Sequence, residues 1–525
     1  MQTLLTEKSV ISKNFERKTG KEAWRSYLRL AVLAADKIRS SLGPKGAYKM
    51  VAYNRGPEQV VKVTKDATVV LDELAIIYPP AVIVAEAAKM QRDEAGDGVA
   101  TFVVLLSALL RKADELLEMK IHPNTIVHGY YLAHQKALDV MESSATNLGR
   151  VDSGILDVVD CQRNLLTPSV RSMIMAAYER GFSDGKYEKD NVRFLRNPGG
   201  CVEESRLVDG VVLKKEKAHP NMPNRVKDLR IAIASEKPGM NRLQLKMKGE
   251  GPTPLRLNVT SAGQIASYRD AEDNLRLKAL DKLFGLKPNV FICEQPLEEG
   301  VKYKLLSRGV FALDKVEKKD SEAVAKATGA RIVGQLDELS EGDLGKAEEL
   351  FTGQIGLEKT VTIQGCGGAT FLLRGNTSQI IDELETAIRN SLTILKVMAD
   401  DSRVLLGGGA VEAEMAREVK AYALSFPGRE QVPIEFFADA LMEIPRCLAS
   451  NYGLNPQDEV VELKSRHANG FGGCGIAEGG CADSVCLEPF RVKRSIIRRA
   501  YEVSALMLRI DELLISKEIA KFHKK

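Results

Sequence analysis

Gly96-Asp97-Gly98 breaks the chain between the charged run Arg92-Asp93-Glu94 and a long apolar segment that opens at Val99-Ala100-Thr101. Two glycines let backbone N–H groups approach an anion, and an aspartate between them can hold a divalent cation where the next helix starts. That is the hardware for a metal-bound phosphate. The same tripeptide is also an ordinary tight turn, because Asp-Gly is a common turn pair. Two further glycine breaks suit the same chemistry. Leu42-Gly43-Pro44-Lys45-Gly46 ends a stretch whose apolar positions Leu28, Ala31, Val32, Ala35 and Ile38 follow helical spacing. Gly407-Gly408-Gly409 precedes Ala410-Val411-Glu412-Ala413-Glu414-Met415, which reads as the first turns of another helix and offers a phosphate or ribose contact. Each break taken alone reads first as a connection between helices.

The three breaks belong to a longer series: Ser41-Leu42-Gly43-Pro44-Lys45-Gly46, Val63-Thr64-Lys65-Asp66-Ala67-Thr68, Gly96-Asp97-Gly98, Ile121-His122-Pro123, Gly407-Gly408-Gly409-Ala410 and Glu488-Pro489-Phe490-Arg491-Val492-Lys493. In these six blocks, their order and their spacing, the chain resembles a group II chaperonin subunit of the thermosome and cytosolic chaperonin family. The resemblance covers essentially the whole sequence. It implies an α/β multidomain fold whose helix-rich equatorial domain is built from both chain ends, here residues 1–145 and 402–525. An intermediate hinge domain would come from residues 146–215 and 366–401, and an α/β apical domain from residues 216–365. Residues 243–272 occupy the place of the family's helical protrusion and read equally as a surface loop. The implied cofactors are ATP and Mg2+, and the implied partners are unfolded client proteins and identical or paralogous subunits in stacked rings.

Site roles carried by the resemblance fall on named residues. Leu42, Gly43, Pro44 and Gly98 would line the phosphates, followed by Val99, Ala100 and Thr101, the last offering a hydroxyl. Asp97 would hold the magnesium, Gly408 would approach the sugar, and Glu488 would accept hydrogen bonds from the ribose hydroxyls. A hard cation takes a carboxylate oxygen, and a carboxylate accepts from hydroxyl donors, so each residue type suits its role.

The hydrolytic residues depart from the family. Its water-activating aspartate, on the helix that leads to the tri-glycine, falls here in Ile388-Arg389-Asn390-Ser391-Leu392 and is replaced by Asn390. An amide cannot accept a proton, and the acid–base contribution it forfeits is roughly 10²–10⁴-fold in rate. Val99 and Ala100 stand where the family has threonines, and the family's phosphate-sensing lysine falls at Ser169. Asp66 remains as a second water contact, or as a turn carboxylate, and Asp400 or Asp401 could compensate. The reading that follows is a chaperonin subunit that binds ATP and hydrolyses it slowly or not at all. The alternatives are a fully active ATPase chaperonin and a structural or regulatory ring subunit with little use of nucleotide. No separate acid–base pair supports a small-molecule kinase.

Composition is compatible with this. A chain of 525 residues, 44% of them hydrophobic, is too long for one core and predicts two to four domains. Its 75 basic and 71 acidic residues nearly cancel, which disfavours nucleic acid as a partner. Met1 to Asn14 lacks an apolar signal core, and the most apolar run, Phe102 to Leu110, is far short of a membrane span, so the expected location is cytoplasmic. The eight cysteines form no Cys-x-x-Cys pair, and free thiols are expected rather than zinc.

The elements that must position the site are mostly helices. Residues 21–42, 99–118, 123–143, 410–424, 431–450 and 491–516 all carry helical apolar spacing. Between about residues 200 and 365 the pattern turns to short apolar runs, such as Val211-Val212-Leu213, Leu229 to Ile233 and Asn289 to Cys293, alternating with helices such as 273–284 and 321–328. Client-binding candidates lie within Leu275 to Phe284 and Tyr303 to Val310, and amphipathic packing on the domain's own sheet explains them equally. The basic end Lys521 to Lys525 is expected to project as a disordered segment.

Overall fold

A computed structural model describes residues 15–55, 58–73, 79–149, 167–180, 182–183, 186–187, 192–236, 280–334, 336–356, 358–483, 486–510 and 512–516. Residues 243–272 and 521–525 lie outside them. The chain forms two units, the first made of residues 1–167 with 382–525 and the second of residues 168–381.

The first unit begins with β1 (Phe15–Thr19), α1 (Gly20–Arg39), the hairpin strands β2 (Lys49–Arg55) and β3 (Glu58–Thr64), α2 (Ala67–Glu73), α3 (Pro79–Ala95), α4 (Val99–Glu118), α5 (Pro123–Ser143) and β4 (Thr146–Asn147). α4 is its axis. Phe102, Val103, Val104, Leu105, Leu106, Leu109 and Leu110 are all buried, so the helix is covered on every side. Burying such a side chain stabilises by roughly 1.5–3 kcal/mol each, so this stretch is firmly anchored in the unit. α5 locks onto it through the Tyr130 hydroxyl, which donates to the Leu109 carbonyl at 3.0 Å.

In the second unit α6 (Pro168–Arg180) leads to β5 (Val192–Pro198), β6 (Arg206–Asp209), β7 (Val211–Leu213), β8 (Arg225–Ala234), β9 (Val290–Cys293), α7 (Glu299–Ser307), β10 (Phe311–Leu313), α8 (Lys318–Thr328), β11 (Ile332–Val333), β12 (Gly345–Ile355), β13 (Glu358–Gln364) and β14 (Ala369–Gly375). The main sheet runs β10-β9-β8-β12-β13-β7, with β11 also pairing with β8. β8, β9 and β10 are parallel, and Ile231 to Ala234, Val290 to Cys293 and Phe311 to Leu313 are buried without alternation. Continuous burial is what a parallel strand covered on both faces requires. The expected α/β layer is therefore present. Of the expected helix 273–284, the described part from Leu280 onward is helical.

α9 (Ser378–Asp400) carries the chain back into the first unit. There follow β15 (Arg403–Leu406), α10 (Ala410–Ala423), α11 (Gln431–Leu441), α12 (Glu443–Asn451), α13 (Pro456–Ala468), the hairpin β16 (Cys474–Ala477) and β17 (Gly480–Asp483), β18 (Leu487–Pro489), α14 (Phe490–Leu508) and β19 (Glu512–Ser516). Two sequence expectations are corrected here. The segment 431–450 is two helices, because Pro445 has no N–H to continue the hydrogen bonding of α11. The helix expected over 491–516 stops at Leu508, and Glu512–Ser516 pairs antiparallel with Phe15–Thr19. The triplet Leu513-Leu514-Ile515 suits a strand as well as a helix, and tertiary pairing decides.

α1 also ends earlier than its apolar spacing predicts, at Arg39, and its open carbonyls are taken up from a distance. Asn451 Nδ2 donates to the Arg39 carbonyl at 3.1 Å and to the Leu42 carbonyl at 2.8 Å. Asn451→Leu would take the side-chain donor from the Leu42 carbonyl, while the Arg39 carbonyl keeps the Leu42 N–H and Cys447 Sγ. The expected cost is about 1–3 kcal/mol, read as a lowered urea midpoint with unchanged slope.

Candidate functional site

The three glycine turns, far apart in sequence, meet around two adjoining cavities of the first unit. One is lined by Leu42, Gly43, Asp66, Asp97, Gly98, Val99, Ala100, Thr101, Asn390 and Glu488 among others, and the second by Leu42, Gly43, Pro44, Thr101, Gly408 and Glu488. The residues given phosphate, metal, sugar or water contacts, from Leu42 to Glu488, therefore all border this space. Ser169 belongs to α6 of the other unit.

Each turn is fastened by its neighbours. The Gly96-Asp97-Gly98 turn is held by fully buried Gln91, whose Nε2 donates to the Asp97 carbonyl at 3.1 Å while its Oε1 accepts from Ser495 Oγ and Arg499 Nε on α14. Gly98 adopts φ +80°, and a Cβ there would come 2.5 Å from Ile496 Cδ1 of α14, so both backbone and packing demand glycine. α4 starts immediately after it without a side-chain cap. The first amides of this twenty-residue helix, from Val99 to Thr101, have no intrahelical acceptor, and these residues line the cavity. Pro44 is fixed on the other side, its carbonyl accepting from Lys65 Nζ at 2.8 Å.

The tri-glycine leads into α10. Gly407 N–H donates to the Cys486 carbonyl at 2.7 Å, and the Gly408 carbonyl accepts from Ile476 N–H at 2.8 Å. A Cβ on Gly407 would lie 2.4 Å from Cys486 Sγ and 2.8 Å from Glu488 Oε1. The turn is thus glycine because the carboxylate of Glu488 occupies the space a side chain would need.

Asp66 has two duties. Its Oδ1 accepts from the Thr68 and Val69 amides at 2.8 and 3.3 Å and caps α2, while its Oδ2 accepts from Asn390 Nδ2 at 3.1 Å. The turn-carboxylate reading holds, and the residue also borders the cavity. Asp400 pairs with Arg491 at 2.8 Å and Asp401 with Arg403 at 2.8 Å, and the lining residues include neither. Asp400 is the last residue of α9 rather than part of a following loop.

The strongest electrostatics lie under Glu488. Burial pushes its carboxyl above the usual range, Lys493 opposes this, and Glu412 and Asp97 add to it. Burial disfavours the Lys493 charge, but the carboxylates of Glu412 and Glu488 outweigh burial and keep Nζ protonated. Lys493 Nζ pairs with Glu488 Oε2 at 2.9 Å and with Glu412 Oε1. Sequence reasoning assigned no role to Glu412 or Lys493. The available signal was position: Glu412 stands three residues after the tri-glycine, and Lys493 five after Glu488, each in the first turn of a helix whose neighbours are apolar.

Backbone amides at the head of a long helix, with a carboxylate beside them, suit an anion and a hard cation. Comparison with known proteins gives the family. Residues 34–518 match the TCP-1/cpn60 chaperonin family. The chain is 33% identical over 530 residues to the thermosome subunit of Methanopyrus kandleri, covering 98% of this chain and 95% of that one. Over 530 residues and the same shares, it is 34% identical to thermosome subunit alpha of Archaeoglobus fulgidus. Thermosome subunit beta of Thermoplasma acidophilum is 33% identical over 526 residues, 97% of this chain and 95% of the relative. The chain belongs to the TCP-1/cpn60 chaperonin family and has its α/β multidomain fold. Its full-length likeness to thermosome subunits sets it in the group II branch.

Proposed function

We propose that this chain is an ATP-binding chaperonin subunit that assists the folding of unfolded client proteins within a stacked double ring, and that it hydrolyses ATP slowly or not at all. The observation that carries the slow-hydrolysis reading is Asn390. It borders the cavity where an acid–base carboxylate is called for, and its amide donates to Asp66. The free amides from Val99 to Thr101 suit phosphate oxygens, Asp97 offers the hard donor that Mg2+ takes, and Glu488 offers an acceptor for ribose hydroxyls. When bound, Mg2+ neutralises phosphate charge. The equatorial, intermediate and apical divisions expected above, a cytoplasmic location and rings of identical or paralogous subunits belong to the same proposal.

Nucleotide bound by such a unit biases the open and closed arrangements only through interactions that differ between them. Binding and turnover are therefore separable, and a subunit that binds without turning over would work best beside competent paralogues. Calorimetric titration with ATP alongside steady-state phosphate release tests the reading. Micromolar binding with near-zero release supports it, release at an ordinary kinase-like rate of roughly 1 per second or more favours the active ATPase, and absent binding leaves a structural ring subunit. Asp66, retained with one oxygen toward Asn390, is the observation that keeps the active reading alive. Asp97→Asn is expected to abolish the Mg2+-dependent increment of ATP affinity while leaving metal-free nucleotide binding close to wild type.

A further inference from the structure

Glu488 sits where the tri-glycine turn meets the start of α14, and its carboxylate is divided between the two. Oε2 is taken by Lys493 Nζ at 2.9 Å, while Oε1 lies over the Cα of Gly407, beside the tri-glycine turn. Lys493 belongs to the first turn of α14 and its side chain is 2% exposed. Glu412, in the first turn of α10 and fully buried, grips the same ammonium with Oε1 and leaves Oε2 without a hydrogen-bond partner among the described residues. An ammonium enclosed in this way cannot swing out to solvent. It fixes which oxygen of Glu488 is occupied and which is left to accept.

We propose that Lys493 is a positioning residue that makes the cavity selective for ribonucleotides. By holding Glu488 ionised and turned, it reserves the second carboxylate oxygen for the ribose hydroxyls. Glu412 serves to hold Lys493. The inference rests on the ATP reading given above. An ionised carboxylate only accepts, so every hydroxyl it meets must donate. A sugar lacking that hydroxyl leaves a partly buried acceptor unpaired, and a site built around a substrate hydroxyl rejects the analogue without it. Without Lys493, a buried carboxyl beside Glu412 would take up a proton, could itself donate, and would accept ribose and deoxyribose alike.

The test compares ATP with 2′-deoxy-ATP and 3′-deoxy-ATP by calorimetry on the purified full-length chain with Mg2+. The wild type is expected to prefer ATP over at least one deoxy analogue by roughly tenfold or more. Lys493→Arg should keep most of that preference. Glu412→Gln, which breaks only the outer pair, should keep it too, and a merely structural role would not separate it from the next variant. The double variant Glu412→Gln/Lys493→Met removes both buried charges together and should bind the three nucleotides within about twofold of one another. If that variant does not fold, Glu412→Gln/Lys493→Gln carries the same expectation. A folded double variant with its ribose preference intact overturns the proposal, as does a wild type that binds ATP and both deoxy analogues equally. A wild type that binds none of the three overturns the ATP reading itself.

Discussion

Replacing Asn390 by aspartate is expected to raise phosphate release from this chain by roughly 10²–10⁴-fold, the range that a positioned acid–base group contributes. The environment sets the form of that gain. Asp66 Oδ2 lies 3.1 Å from the Asn390 amide nitrogen, so Asn390→Asp brings two carboxylates into near contact. Two acids that close cannot both ionise freely, and one of them must have a raised pKa. A base must be deprotonated to act, so the rate in Asn390→Asp should climb as pH rises through that raised value. Asn390→Ala should show no gain. If Asn390→Asp binds ATP as the wild type does yet releases phosphate no faster, position 390 does not govern the attacking water.

Lys493→Met is expected to give the largest loss of stability of any single substitution at the site. The change leaves Glu412 in a dry interior with no cation, and breaking a buried pair from one side costs about 3–5 kcal/mol. Denaturation in urea followed by circular dichroism should show a lowered midpoint. Adding Glu412→Gln should restore most of the difference, because the uncompensated charge is what destabilises. An unchanged midpoint for the single variant would mean that Glu412 simply takes up a proton at little cost.

The glycine turns were legible because glycine is demanded there by backbone and by space. Gly98 at φ +80° against Ile496 disfavours any side chain, and a Cβ on Gly407 would push aside Cys486 and Glu488, so the preference for glycine is written into the chain itself. Asp97 was legible by its place in such a turn, whereas Asp66 and Asn390 were legible through the blocks that resemble the family. The Glu412–Lys493 pair was not, since its members stand far apart in sequence and nothing local marks a lysine as buried; only the packing of α10 against β18 and α14 reveals it. The break at Met442 required noticing that Pro445 removes an amide at the start of α12. The terminal strand Glu512–Ser516 was beyond local reading for a further reason: its partner is at the opposite end of the chain, and a strand's identity is settled by what it pairs with.

The construction of the first unit from two stretches, residues 1–167 and 382–525, has a consequence for biosynthesis. A ribosome adds roughly 5–20 residues per second, so α4 emerges tens of seconds before α14, the helix that covers Gly98 at its head. Until the residues after 381 follow, this deeply buried helix has only α1 to α3 and α5 of its own unit for shelter. The nascent N-terminal stretch is, for a time, the kind of polypeptide a chaperonin exists to protect.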